Sequence, residues 1–298
     1  MLTGVLAGLA AGALWGLVFV APRMAPGLPA VDLTAGRFAA YGVLAAFVML
    51  LGWRARRWPT WRQAGAAAAL SVLGFTGYYF LLVLAIRDAG TEVPTLVIGT
   101  IPVWVMLLGK PESVRWRGLM PGLALTIAGL VLMTLGTPGH GPGGAGHAHF
   151  WRGMAFVVTS LICWTAFAVI NSAWLKRHPE VSAADWANWL GVATGLGALA
   201  LWTIAGTPLA ELRQRSDIGP VLLLCASTGF GSAWLATLLW NMASQRLSAS
   251  LCGQLIVSET VFALLYSFAW DGTWPSAAQW TACVLFTLGI LASIKAHP

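Results

Sequence analysis

Glu259 is the side chain whose chemistry most needs an explanation. It is the sole charged residue of the apolar run Ser250–Trp270. On a helix rising 1.5 Å per residue, a position about ten residues into such a run lies about 15 Å from its end. In hydrocarbon, an acidic group at that depth costs about 2.5–3.5 kcal/mol. A group that expensive should turn toward the interior of a helix bundle. There it can bind an ammonium or carry a coupling proton. The plainer alternative is a neutral carboxylic acid hydrogen-bonded between helices.

Aromatic residues form the second candidate group. Trp15, Tyr78, Tyr79, Trp104 and Trp164 all fall near the middle of apolar runs, whereas membrane proteins usually keep Trp and Tyr at the interfaces. Central rings can line a pocket for apolar side chains and hold an ammonium over a ring face; they can equally serve helix packing. Pro102 precedes Trp104 and removes a backbone hydrogen bond, which can kink a helix toward a cavity. Trp234 and Trp240 are weaker candidates. Of the 17 tryptophans, Trp53, Trp58, Trp61, Trp116, Trp151, Trp186 and Trp274 sit near run ends and read as interfacial anchors. Arg37 lies about four residues into its run. Snorkelling to the nearer interface is the commoner fate for such a residue; lining a vestibule, where it would draw a carboxylate, is the sharper one. Asn171, Asn241 and Gln254 are buried polar residues of the kind that bridge helices.

These groups do not make a catalytic set. The chain has no His-Glu-x-x-His, no Gly-x-Ser-x-Gly and no phosphate-cradling glycine loop before a lysine. A membrane-embedded enzyme is therefore the weaker class of reading, and no cofactor is expected. Cys163, Cys225, Cys252 and Cys283 lie inside apolar runs, without metal spacing, and read as small packing residues. His140, His147 and His149 cluster near one another without a carboxylate or cysteine beside them. They read as exposed histidines, so no metal site is expected.

The positioning elements follow from composition. Apolar residues make up 58% of the 298-residue chain and charged residues 9%, whereas a soluble domain carries roughly 25% charged residues. Lipid tolerates such an exterior, and a spanning helix needs about 20 apolar residues. The runs predict an all-α membrane protein with spans at Leu2–Val20, Leu33–Gly52, Gln63–Ile86, Pro94–Leu108, Gly118–Gly136, Gly153–Leu175, Trp186–Ala205, Pro220–Asn241, Ser250–Trp270 and Ala277–Ile294. The first of these has no basic segment before it and reads as an uncleaved span rather than a secretory signal. With the N-terminus in the cytoplasm, eleven of the 17 basic residues lie on the inner side and five on the outer, with Arg37 inside a span. That bias favours both termini cytoplasmic. The net charge of +7 is thus topological, and no nucleic-acid partner is expected.

Two halves are visible. Gly4 precedes Trp15 by eleven positions, and Gly153 precedes Trp164 by the same interval. The division expected is a first five-helix repeat at 1–136, a Gly/His-rich linker at 137–152 and a second repeat at 153–298. Five spans per half would insert the second half upside-down. Inverted repeats that rock about a site near the midplane are a transporter architecture. Gly4, Gly8, Gly12 and Gly16 form a strip that lets another helix come close, either as static packing or as a sliding contact.

Trp15-Gly16, Arg37-Phe38, Pro102 and Glu112 together resemble the drug/metabolite transporter superfamily in its EamA-type ten-helix branch, over nearly the whole chain. The run Ser258-Glu259-Thr260-Val261-Phe262-Ala263-Leu264-Leu265-Tyr266 and Gly77-Tyr78-Tyr79-Phe80 resemble its aromatic amino-acid exporters. The second half departs from the pattern, with Trp164-Thr165 in place of Trp-Gly and no Arg-Phe pair. The resemblance implies a secondary transporter of the bacterial inner membrane. It would export aromatic and other neutral amino acids or similar metabolites, with Trp15, Tyr78, Tyr79, Trp104, Trp164 and Glu259 binding the substrate. A multidrug or quaternary-cation exporter is the alternative within the superfamily. The expected partners are a small-molecule substrate and membrane lipid; the oligomeric state stays open, a monomer included.

Overall fold

The structure is a computed structural model that describes residues 1–52, 58–89, 97–110, 114–135, 150–272, 274 and 276–297. Glu112, most of the Gly/His-rich linker with its three histidines, Trp53 and Pro94 lie outside these residues.

The described residues fold as helices and turns, without strands. Helix α1 spans Leu2–Gly16 and α2 spans Ala30–Leu51. Helix α3 runs Trp61–Ser71, widens into a π-helical stretch Val72–Thr76 and continues as Gly77–Ala89. Helix α4 is Ile101–Leu108, α5 Trp116–Leu135, α6 Phe150–Arg177 and α7 Ala183–Ala205. Helix α8 repeats the wide-turn pattern, as Ile218–Thr228, Gly229–Leu235 and Ala236–Arg246. Helices α9, Ala249–Asp271, and α10, Ala277–Ala296, complete the bundle. Seven of the described helices are long and apolar enough to cross a membrane, and Leu2–Gly16, Val97–Leu108 and Trp116–Leu132 are shorter apolar helices.

Local chemistry sets the helix ends. Thr60 with Gln63 and Ser276 with Gln279 form capping boxes at the starts of α3 and α10. Ser182 and Ser248 cap α7 and α9 through their hydroxyls. Gly272 closes α9 at φ 62°, a conformation glycine adopts without a Cβ penalty. Pro102 stands in the first turn of α4, where its missing N–H costs nothing. The helical residues 97–99 precede it across a turn at Thr100, so the apolar helix Val97–Leu108 is interrupted just before the proline.

Small residues let the helices touch. The strip on α1 lies along α9 and the turn before it: Gly4 against Leu247, Gly8 against Leu255, Gly12 against Ser258 and the backbone of Glu259, Gly16 against Phe262 and Ala263. Helix α2 crosses α7 where Gly42 meets Gly195, and a Cβ on Gly42 would stand 2.5 Å from the Gly195 Cα. On α5, Gly122 meets Ser293 and Gly129 meets Phe286, both of α10.

The buried amides bridge helices as expected. Asn171 Nδ2 donates to Asn241 Oδ1 at 3.1 Å, and Gln254 Nε2 donates to Thr126 Oγ1 at 2.9 Å. One tryptophan departs from its assignment. Trp186 is fully buried, not an interfacial anchor. Helix α7 begins three residues earlier than the apolar run, at Ala183, which carries Trp186 beneath the end of α6. It stacks on Trp174 with centroids 3.7 Å apart and donates Nε1–H to Asn171 Oδ1 at 2.7 Å. Trp61, Trp151 and Trp274 are strongly exposed, as anchors should be.

Replacing Asn171 with Leu removes the acceptor for Trp186 and the donor for Asn241. Leaving buried groups unpaired costs about 1–3 kcal/mol, so the melting temperature in detergent should fall by several degrees. Adding Trp186→Phe to that variant should cost less than Trp186→Phe alone, because the shared bond is already gone.

Candidate functional site

The site is built from α9 and α1, which pack together, and from side chains of α2 and α3 that interact with Glu259 across the bundle. Gly12 brings the backbone of α1 against α9 at Ser258 and Glu259, so Glu259 sits within the bundle, partly buried. Among the described residues no hydrogen bond reaches its carboxylate. Arg37 of α2 and Tyr78 of α3 both interact electrostatically with it, and Tyr79 with Arg37. Tyr79 is held in place by donation of its hydroxyl to Ala30 O at 2.9 Å.

Arg37 lies deeper than its sequence position suggests. Pro29 caps a helix that starts at Ala30 rather than Leu33, so Arg37 is seven residues in, about 10 Å along the axis. Its guanidinium carbon lies 4.7 Å from the Phe38 ring centroid, and its Nε is buried without a hydrogen-bond partner. The side chain turns into the bundle rather than snorkelling to the interface.

The bundle also holds a row of rings drawn from four helices. Trp15 of α1 and Trp164 of α6 flank Trp240 of α8, with centroids 5.3 and 6.4 Å away. Trp164 continues to Phe167 at 6.2 Å, and Phe167 to Phe75 of α3 at 5.4 Å. Tyr78 packs against the same apolar cluster as Trp15 and Trp164. The structure therefore groups Trp15, Tyr78, Trp164 and Glu259, with Tyr79 joined through Arg37. Trp104 stays apart: it is 47% exposed and donates Nε1–H to Thr100 Oγ1 on its own turn at 3.1 Å. In the sequence Trp240 is only a weaker candidate and Phe75 and Phe167 carry no signal, because ring position along a run does not show which face of the helix the ring occupies.

A cavity of about 440 Å³ opens toward the far end of α1, lined by Leu17, Met24, Thr228, Ser232, Tyr266 and Trp270 among others. Tyr266 stacks on Phe262 with centroids 6.1 Å apart. One face of α9 thus leads from Glu259 past Phe262 to the cavity wall, about 10 Å along the helix. The described residues include no group of His, Cys, Asp or Glu that could hold a metal, and the cysteines among them are free thiols.

Known proteins place this arrangement. The sequence matches the EamA-like transporter family twice, over residues 2–135 and 151–294. It is 31% identical, over all of this chain and 97% of the other, to the inner membrane protein YtfF of Escherichia coli (strain K12). In fold it is similar to a solved crystal structure at a TM-score of 0.74 and 21% identity, covering 98% of both chains. A multi-pass helical bundle with this double match is a membrane transporter of small molecules, not an enzyme, and the chain belongs to the EamA-like transporter family of the drug/metabolite transporter superfamily.

Proposed function

We propose that the chain is a secondary transporter that exports aromatic and other neutral amino acids, or similar small metabolites, from the bacterial cytoplasm by alternating access. The observation that carries this reading is Glu259 inside the bundle where Gly12 of α1 meets α9, one helical turn along α1 from Trp15, the first ring of the Trp15–Trp240–Trp164 row. Carboxylate and ring faces together suit an ammonium-bearing molecule with an apolar side chain. The seven long helices and three shorter apolar ones are read as ten spans in two inverted repeats, with both termini in the cytoplasm. Paired features support the inversion: α3 and α8 each carry a π-helical stretch, and α2 packs on α7 and α5 on α10 through glycines. The contact of α1 with α9, to which α1 contributes a strip of glycines, then serves as a surface on which the halves move.

Counterflow in proteoliposomes with a panel of labelled amino acids tests the reading. Exchange of phenylalanine supports it; exchange of a quaternary amine alone would favour the multidrug alternative. Within the site, Trp164→Ala should lower transport about five- to tenfold, the loss expected when one ring contact in a pocket is removed. Trp104→Ala should change it by less than about twofold, because that ring is outside the cluster. Equal effects of the two substitutions would exclude the ring row as the substrate wall.

A further inference from the structure

We infer that Arg37 and Glu259 are the two poles of one recognition site, so that the molecule carried is a zwitterion held by its carboxylate at Arg37 and by its ammonium at Glu259. This rests on the transport reading above and narrows its substrate class.

The two residues carry opposite charges, come from different halves of the chain and both turn into the bundle. They interact electrostatically, yet among the described residues no ion pair joins them. The Nε of Arg37 is buried without an acceptor. A guanidinium offers five donors in a planar fork that matches a carboxylate. Leaving one of those donors buried and unmatched is costly, and a bound carboxylate would remove that cost. Glu259 is the complementary case, an acceptor group that no described residue hydrogen-bonds. Tyr78 interacts electrostatically with both and packs on the same cluster as Trp15 and Trp164. The ring row thus begins beside the charged pair, where the side chain of an α-amino acid would emerge from its two charged groups.

Selection follows from charge. A zwitterion compensates both poles and adds no net charge to a site that low-dielectric protein surrounds. An organic cation of the same size would face Arg37 unpaired, and an anion would face Glu259; like charges at close range are strongly disfavoured. Because α2 and α9 belong to different halves, a bound zwitterion also ties the halves together. A molecule with a single charge cannot.

The test measures stabilisation of the purified full-length protein in detergent by three compounds of one shape: L-phenylalanine, phenethylamine and 3-phenylpropionate. The wild type should bind phenylalanine at least about tenfold more tightly than either analogue, as expected for one charge-assisted contact. Arg37→Gln should close the gap to phenethylamine, Glu259→Gln the gap to 3-phenylpropionate, and Arg37→Lys should keep part of the preference. Equal binding of phenylalanine and phenethylamine by the wild type overturns the inference without any variant having to fold. So does an Arg37→Gln protein that loses both compounds in proportion, or a wild type that binds none of the three. Phenylalanine binding with the expected selectivity, but without counterflow, leaves the two-pole site standing and overturns export instead.

Discussion

Glu259→Gln is expected to cut transport at least about tenfold while leaving the folded protein intact. The amide is nearly the same shape, so Gly12 and Ser258 of the α1–α9 contact need not move. The negative charge is what disappears, and with it the attraction for an ammonium. Removing the charge relieves its desolvation but also takes a counter-charge from Arg37, so the melting temperature should change little. Counterflow of labelled phenylalanine, read beside thermal unfolding in detergent, separates the two effects. Wild-type rates across the pH range would show that the carboxylate is a packing group. A fall in rate together with a fall in melting temperature would show that it is a structural hydrogen-bonding one.

The largest effect on stability should come from Gly42→Val. Among the described residues, helices α2 and α7 form the most extensive helix–helix contact, and within it the Gly42 and Gly195 backbones meet. A Cβ on Gly42 would stand 2.5 Å from the Gly195 Cα and 3.2 Å from Gly191 O. Those obstacles are backbone, which cannot rotate away as a side chain can. The helices must separate, and Tyr41 and Ala45, which pack on Gly191, must lift with them. Overpacking of this kind costs about 1–3 kcal/mol or more, so the variant should melt many degrees lower or fail to accumulate. Gly65→Val is the matched control: a Cβ there meets nothing within 4 Å, and its melting temperature should stay within a degree or two of wild type, since surface changes fall within about 0.5 kcal/mol. A Gly42→Val protein as stable as the control would mean that α2 and α7 are not in backbone contact.

Much of this architecture is legible in the sequence because the bilayer imposes simple rules. Apolar runs mark helices, glycines four apart mark a close approach, and an acid inside such a run must find the interior. Gly4, Gly8, Gly12 and Gly16 predict a neighbour, although they do not say that the neighbour is the helix bearing Glu259. What stays hidden is rotational and terminal detail. Trp186 counts as an end residue on hydropathy, but Ser182 starts α7 earlier and Trp174 closes over the ring. Arg37 counts as shallow until Pro29 extends α2 outward. Trp104 is central in its run yet faces away from the cluster, because α4 presents a different side to its neighbours. Face and depth depend on where a helix starts and how it is wound, and average hydrophobicity is blind to both.

Winding matters most in the five residues Val72–Thr76. A π-helical turn takes up one residue more than an α-helical turn, and one residue corresponds to about 100° of rotation. Everything after it in the same helix is therefore phased against everything before. Tyr78 and Tyr79, beyond the extra residue, interact electrostatically with Arg37, while Ser71 on the near side hydrogen-bonds Thr194 of α7 at 2.9 Å. The stretch Gly229–Leu235 does the same for Trp240. A relative lacking one residue in either stretch would present another set of side chains to the interior with its sequence otherwise unchanged. Comparisons of specificity between such proteins should accordingly be made face by face rather than column by column.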